Sequence, residues 1–288
     1  AAMAFGREDQ TMANWWILGG GLVFGIVTVG MGLSDTSFNK EIIFIGSLAI
    51  VLFLMRRLIK VLEPEDRLIL VGTAVIIFVY RAMPTPGAGQ TWWMIDELGF
   101  DQQFLAVLSL ISSVLTLLGM FLFRRFMAER SIAYVIVFLT IASSVLYMPI
   151  IGMFYGLHEM TASLTGGIVD ARFIALVDTA LESPLGQIAM IPMLAWIANS
   201  APANLKATFF AVMASFTNLA LSASQLGTKY LNRVFTVTRE VKDRANDTIT
   251  LPADYSELGF LMWSAMLLGL IVPIAAVIVM RLSPYKSA

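Results

Sequence analysis

The chain has 288 residues, 58% of them hydrophobic and only 14% charged, with a formal net charge of -1 and a mean hydropathy of +0.80. A globular chain averages roughly 45–50% apolar and about 25% charged residues, so this composition excludes a soluble domain and points to an all-α polytopic membrane protein. The near-neutral balance excludes nucleic acid as a partner; the lack of cysteine excludes disulfides and thiolate chemistry; and the single histidine, His158, leaves no His-rich metal site.

No basic segment with a short apolar stretch and a cleavage site precedes the first long apolar run, so no signal peptide is expected. Stretches free of Asp, Glu, Lys and Arg occupy 10–34, 102–123, 131–158, 183–205, 207–228 and 258–280. Each reaches the ~20 residues that a membrane helix needs. Two shorter runs, 42–55 and 68–80, reach that length by borrowing Lys40, Arg56 and Arg81, whose long side chains can snorkel. Eight transmembrane helices are predicted, near 12–34, 38–60, 66–84, 102–126, 131–156, 171–199, 204–234 and 257–281.

An even number puts both termini on one side. The loops on that side carry eleven Lys and Arg residues and the opposite loops four, Lys40, Arg239, Lys242 and Arg244. The positive-inside rule therefore predicts cytoplasmic termini. The stretch 81–101 joins the third and fourth helices on the outer side, and Pro84, Pro86, Gly87 and Gly89 argue against regular helix there. Trp92 and Trp93 suit the headgroup zone; an aromatic gate is the sharper reading. His158 is expected at an outer helix end. The long loop 235–256 is polar and holds Asn246-Asp247-Thr248, a glycosylation pattern common by chance. There is no P-loop, HExxH or GxSxG, so neither ATP-driven transport nor an enzyme is expected, and no cofactor or metal is implied.

Charged side chains inside spans are the candidate functional residues, because each costs about 2.5–3.5 kcal/mol near the bilayer centre unless it pairs or lines a cavity. The sixth helix carries Arg172, Asp178 and Glu182, the last two four apart and so on one face. Pro184, Gly186 and Pro192 interrupt the same helix, with Gln187 beside them. On the seventh, Asn218, Ser222, Gln225 and Lys229 form one polar stripe that Ser215 extends; Arg233 follows Lys229 by four. The third helix ends in Arg81. The functional reading is an ion and substrate pathway. The plain one is structural ion pairs and helix–helix contacts, with Arg172 and Arg233 at the water boundary.

Four stretches, RAMPTPGAGQTWWMIDELGFD (81–101), GMFLFRRFMAERS (119–131), DTALESPLGQIAMIPMLAWIA (178–198) and KATFFAVMASFTNLALSASQLGTKYLN (206–232), resemble the BT1 or folate–biopterin transporter family of the major facilitator superfamily. The resemblance implies a twelve-helix secondary carrier of folates and pterins, built from two six-helix halves around a central cavity and coupled to protons. Helices three to eight then resemble the C-terminal half and helices one and two the end of the N-terminal half. The implied division is 1–60, a cytoplasmic link at 61–66, and 67–288. Eight helices instead of twelve imply either a fragment or a shortened relative.

On this reading Arg81 and Lys229 pair with substrate carboxylates, Gln187, Asn218 and Gln225 hydrogen-bond ring edges, and Asp178 and Glu182 take up the coupling proton. The partners are a flat organic anion and the lipid bilayer of a plasma, inner or thylakoid-type membrane. The alternative is a non-transporting scaffold or assembly subunit, packed against other membrane protein subunits of a pigment–protein or similar complex.

Overall fold

The computed structural model describes residues 15–34, 38–186, 188, 191, 194–196, 206–242 and 248–285. The chain divides into two compact units, Ala1–Val61 and Leu62–Ala288. In the first, α1 (Trp15–Gly32) packs on α2 (Asn39–Leu58), which tightens into a 3₁₀ turn at Ile59–Val61. Glycine lets the two helices close up: a Cβ on Gly20 would stand 3.3 Å from Leu54. Leu18, Leu22, Ile26 and Val29 of α1 stay exposed, the surface that hydrocarbon covers in a bilayer.

The second unit holds α3 (Pro64–Arg81), α4 (Ala88–Asp96), α5 (Gln102–Leu122), α6 (Arg124–Glu129), α7 (Ile132–Phe154), α8 (Leu157–Leu164), α9 (Ala171–Glu182), a 3₁₀ turn at Ser183–Leu185, α10 (Lys206–Val234) and α11 (Leu258–Leu282). Each of the eight predicted spans overlaps one of the long helices or α9. Asn39–Val61, Gln102–Leu122, Ile132–Phe154, Lys206–Val234 and Leu258–Leu282 are long and apolar enough to cross a membrane. The protein is an integral, all-α, multi-pass membrane protein.

Helix starts follow from local chemistry. Asp101, Ser131 and Asp170 are N-caps whose side chains accept the backbone N–H of Phe104 (2.7 Å), Tyr134 (3.3 Å) and Phe173 (2.8 Å). Pro64 opens α3, with Glu65 and Asp66 in the first turn facing the positive end of the helix dipole. α3 is central, touching α7, α10 and α11; α7 also packs on α9 and α11, while α5 is held through α9 and the 3₁₀ turn.

The stretch 81–101 departs from the expected irregular loop. Gly87, at φ +77°, turns the chain, and α4 starts immediately after it. Gly89 lies inside α4 because a Cβ there would meet Val237 at 2.8 Å. Trp93 faces inward. It is 5% exposed, in a core with Phe100, Ile151, Met153, Leu258 and Met262, 5.7 Å from the ring of Phe154.

The described residues of 235–256 also hold more structure than a bare loop. β1 (Val241–Lys242) pairs antiparallel with β2 (Ile249–Leu251), Val241 opposite Leu251. A polar clasp ties this hairpin to α4. Arg239 grips Asp96 through Nε (3.2 Å) and Nη2 (3.0 Å), and the Tyr255 hydroxyl donates to the same carboxylate at 2.5 Å. Arg172 likewise pairs with Asp101 at 2.9 Å, at this end of the bundle, so the plain reading of Arg172 holds. The asparagine and aspartate of the glycosylation pattern lie outside the described residues.

The Arg239 and Tyr255 hydrogen bonds hold the Asp96 carboxyl below the usual carboxylate range, and burial with that same bond pushes the Tyr255 phenol up to about 12. A lowered carboxyl pKa adds stability above its unfolded value and loses it as pH falls through the folded value. The clasp is therefore expected to be intact at neutral pH and to open only below about pH 4. Limited proteolysis at 235–256 should report this, with Asp96→Asn showing the acid-like cleavage already at pH 7.

Candidate functional site

The site is built where α9 stops. α9 ends at Glu182, and Pro184 in the following 3₁₀ turn cannot supply a backbone donor to continue it. The turn lies directly on α5: a Cβ on Gly119 would stand 2.1 Å from the Pro184 carbonyl oxygen, so only glycine permits the contact. Hydroxyls add to the backbone pairing at the break, where the Ser183 N–H reaches the Thr179 carbonyl and the Gly186 N–H the Ser183 carbonyl. Ser183 Oγ donates to the Thr179 carbonyl at 2.5 Å and lies 2.9 Å from Ser112 Oγ, while Thr116 Oγ1 donates to the Ser183 carbonyl at 2.9 Å.

Glu182 borders two spaces. One is a cavity of about 410 Å³ between α3, α7, α11 and the 83–86 turn, walled by Tyr80, Pro84, Thr140, Ser144, Tyr147 and Met266 among others. The other is a groove of about 440 Å³ between α5 and α9, formed by Leu108, Ser109, Ser112, Ser113, Thr179 and Ser183. Glu182 lies within electrostatic reach of Tyr80, Tyr147 and Asp178. Asp178 Oδ1, one turn earlier, is buried with no hydrogen-bond partner among the described residues. In the cavity, Tyr147 donates to Gln90 Oε1 at 2.6 Å, and Thr140 Oγ1 is buried without a partner among the described residues.

Two polar stripes frame Glu182 that a search for charges passes over. Thr140, Ser143, Ser144 and Tyr147 on α7, and Ser109, Ser112, Ser113 and Thr116 on α5, both run i, i+3, i+4, i+7. That spacing marks one helical face. Each lies in a charge-free span where a run of hydroxyls is the available signal.

A third stripe fixes the cavity's rim. On α10, Ser224 Oγ donates to the Met83 carbonyl (2.6 Å), Thr228 Oγ1 accepts from the Thr85 N–H (2.9 Å), and Asn232 Nδ2 donates to the Pro86 carbonyl (3.1 Å). The stripe singled out from sequence lies elsewhere on α10. Asn218 and Gln225 are exposed and Lys229 is half-buried, its Nζ 5.7 Å from the Tyr230 ring centre. Arg81 is half-buried beside Tyr80. Gln187 and Pro192 lie outside the described residues. The two spaces around Glu182 are thus not lined by Arg81, Asn218, Gln225 or Lys229.

The contact at Gly119 gives a stability test. Gly119→Ala is expected to destabilise the second unit by about 1–3 kcal/mol, the usual cost of overpacking. Gly25→Ala, where nothing lies within 4 Å of the added carbon, should leave the melting temperature of the detergent-solubilised protein unchanged.

The comparisons agree with this architecture. A "Folate-biopterin transporter" of Synechocystis sp. is 29% identical over 146 residues, which is 51% of this chain and 28% of that protein. "Folate transporter 2" of Plasmodium falciparum is 27% identical over 166 residues, 56% of this chain and 34% of that protein. The matched stretches thus span about a third or less of those relatives' length. No solved structure matches the chain. The BT1 family model matches residues 15–283, so the chain belongs to the BT1 family.

Proposed function

We propose that this chain forms the cavity-bearing part of a secondary carrier for flat organic anions of the folate or pterin kind, driven by a proton taken up at Glu182 and Asp178. The observation that carries the reading is the position of Glu182 on the wall shared by the cavity and the groove, at a helix break inside an apolar body. A charge in that setting is costly, and two carboxylates one turn apart raise the cost further. Proton uptake removes both penalties and lets the surrounding helices repack.

The relatives' printed names support the substrate class. Arg81 and Lys229 supply cations for carboxylates, and Gln187, Asn218 and Gln225 supply donors and acceptors for ring edges. Asn218 and Gln225 lie exposed on an otherwise apolar helix, and in a bilayer such a stripe must face protein or water. This supports a pathway completed by further helices of the whole carrier, with residues 1–60 as the end of one half, 61–66 the link and 67–288 the other half. The charge balance of the loops supports cytoplasmic termini. The protein acts as a carrier and not as an enzyme.

Uptake of labelled folate under an imposed pH gradient tests this in cells making the full protein. Glu182→Gln and Asp178→Asn are each expected to reduce proton-driven uptake to background while the protein still inserts. Undiminished uptake with both replaced overturns the role of these carboxylates.

A further inference from the structure

The groove between α5 and α9 has a chemistry that the carrier reading does not use. Two of its hydroxyls, Ser113 and Ser183, have their hydrogens engaged by neighbours. Ser113 Oγ donates to the Ser109 carbonyl (2.8 Å), and Ser183 Oγ directs its hydrogen at the Thr179 carbonyl (2.5 Å) and at Ser112 Oγ (2.9 Å), which accepts. A hydroxyl whose single hydrogen is engaged offers only lone pairs to the space in front of it. Glu182 adds a carboxylate, and among the described residues no basic side chain lines the groove. The C-terminal end of α9 lies at the same place, so the negative end of a helix dipole faces it too. Ser112 is the eleventh of the 21 residues of α5, which sets the groove at mid-length of a spanning helix. Oxygen lone pairs, one negative charge and a helix C-terminus together select a hard cation and reject an anion. A single lining carboxylate balances one positive charge; a divalent ion would call for more.

We infer that the groove formed by Ser109, Ser112, Ser113, Thr179, Glu182 and Ser183 is a binding site for a small monovalent cation of the Na+ class. Because Glu182 is a ligand, a proton on it neutralises the site, and proton and cation exclude one another. The titratable and charged groups around Glu182 are Asp178 on its own helix, Tyr80 from α3 with Arg81 beside it, and Tyr147 from α7; the α5 wall contributes hydroxyls and Leu108. The inference rests on the carrier reading for the use made of the ion, not for its binding.

The test is the melting temperature of the purified full chain in detergent, titrated with NaCl against choline chloride at equal ionic strength. A saturable upward shift specific to Na+ is expected near pH 8 and should fade on acidification. Ser112→Ala and Ser109→Ala should each raise the half-saturating Na+ concentration about tenfold or more, the scale of one lost ligand to an ion. Glu182→Gln should abolish the shift. Ser109 is exposed, so its replacement keeps the test open if a buried variant fails to fold. Equal melting temperatures in the two salts overturn the site, as does a Na+ shift that survives both Ser112→Ala and Glu182→Gln. A wild type that shows the Na+ shift but takes up no folate sinks the carrier reading and leaves the site standing.

Discussion

An α-helix that stops inside an apolar body has to find partners for its last carbonyls, and α9 stops there with a carboxylate on its final residue. Much of the second unit can be understood from that demand. Pro184 enforces the break, Gly119 gives the turn room to lie on α5, and Thr116, Ser112 and Ser183 supply hydroxyls that reinforce the 3₁₀ backbone pairing. A leucine-only α5 would remove the Thr116 hydrogen bond to the Ser183 carbonyl, leaving that carbonyl the Gly186 N–H alone, a loss of about 0.5–1.5 kcal/mol. The polar faces of α5 and α7 are therefore tied to the broken helix between them.

The same economy governs the rim of the cavity. Two prolines and a glycine at 84–87 leave a segment whose backbone groups cannot pair among themselves as a helix would. α10 answers with side chains at every fourth residue, Ser224, Thr228 and Asn232, each meeting one backbone group of the turn. Small residues finish the fit: a Cβ on Gly227 would press on Pro84 at 3.3 Å, and one on Gly87 on Thr228 at 3.2 Å.

The apolar spans and the interruption of the sixth helix were legible in the sequence because composition and proline act locally. Asp178 and Glu182 were legible as a pair because four residues make one helical turn. The hydroxyl stripes of α5 and α7 were not, since Ser and Thr are ordinary in membrane helices and become significant only when a carboxylate is known to lie opposite. The burial of Trp93 was not legible either, for a related reason. An indole suits an interface or a core equally well, and only the packing of Phe154 and Leu258 around it decides. The α10 stripe illustrates the limit of periodicity: one helix carries two polar faces, Asn218–Gln225 and Ser224–Asn232, and spacing alone does not say which one holds the turn.

The three-rung ladder between α10 and the 83–86 turn has a mechanical meaning. Met83, Pro84, Thr85 and Pro86 are themselves wall residues of the cavity. Sliding the turn along α10 would break three hydrogen bonds at once, whereas tilting the two as one piece breaks none. Turn and helix therefore form a single lever, and any swing of α10 resizes the chamber beside Glu182 in the same stroke.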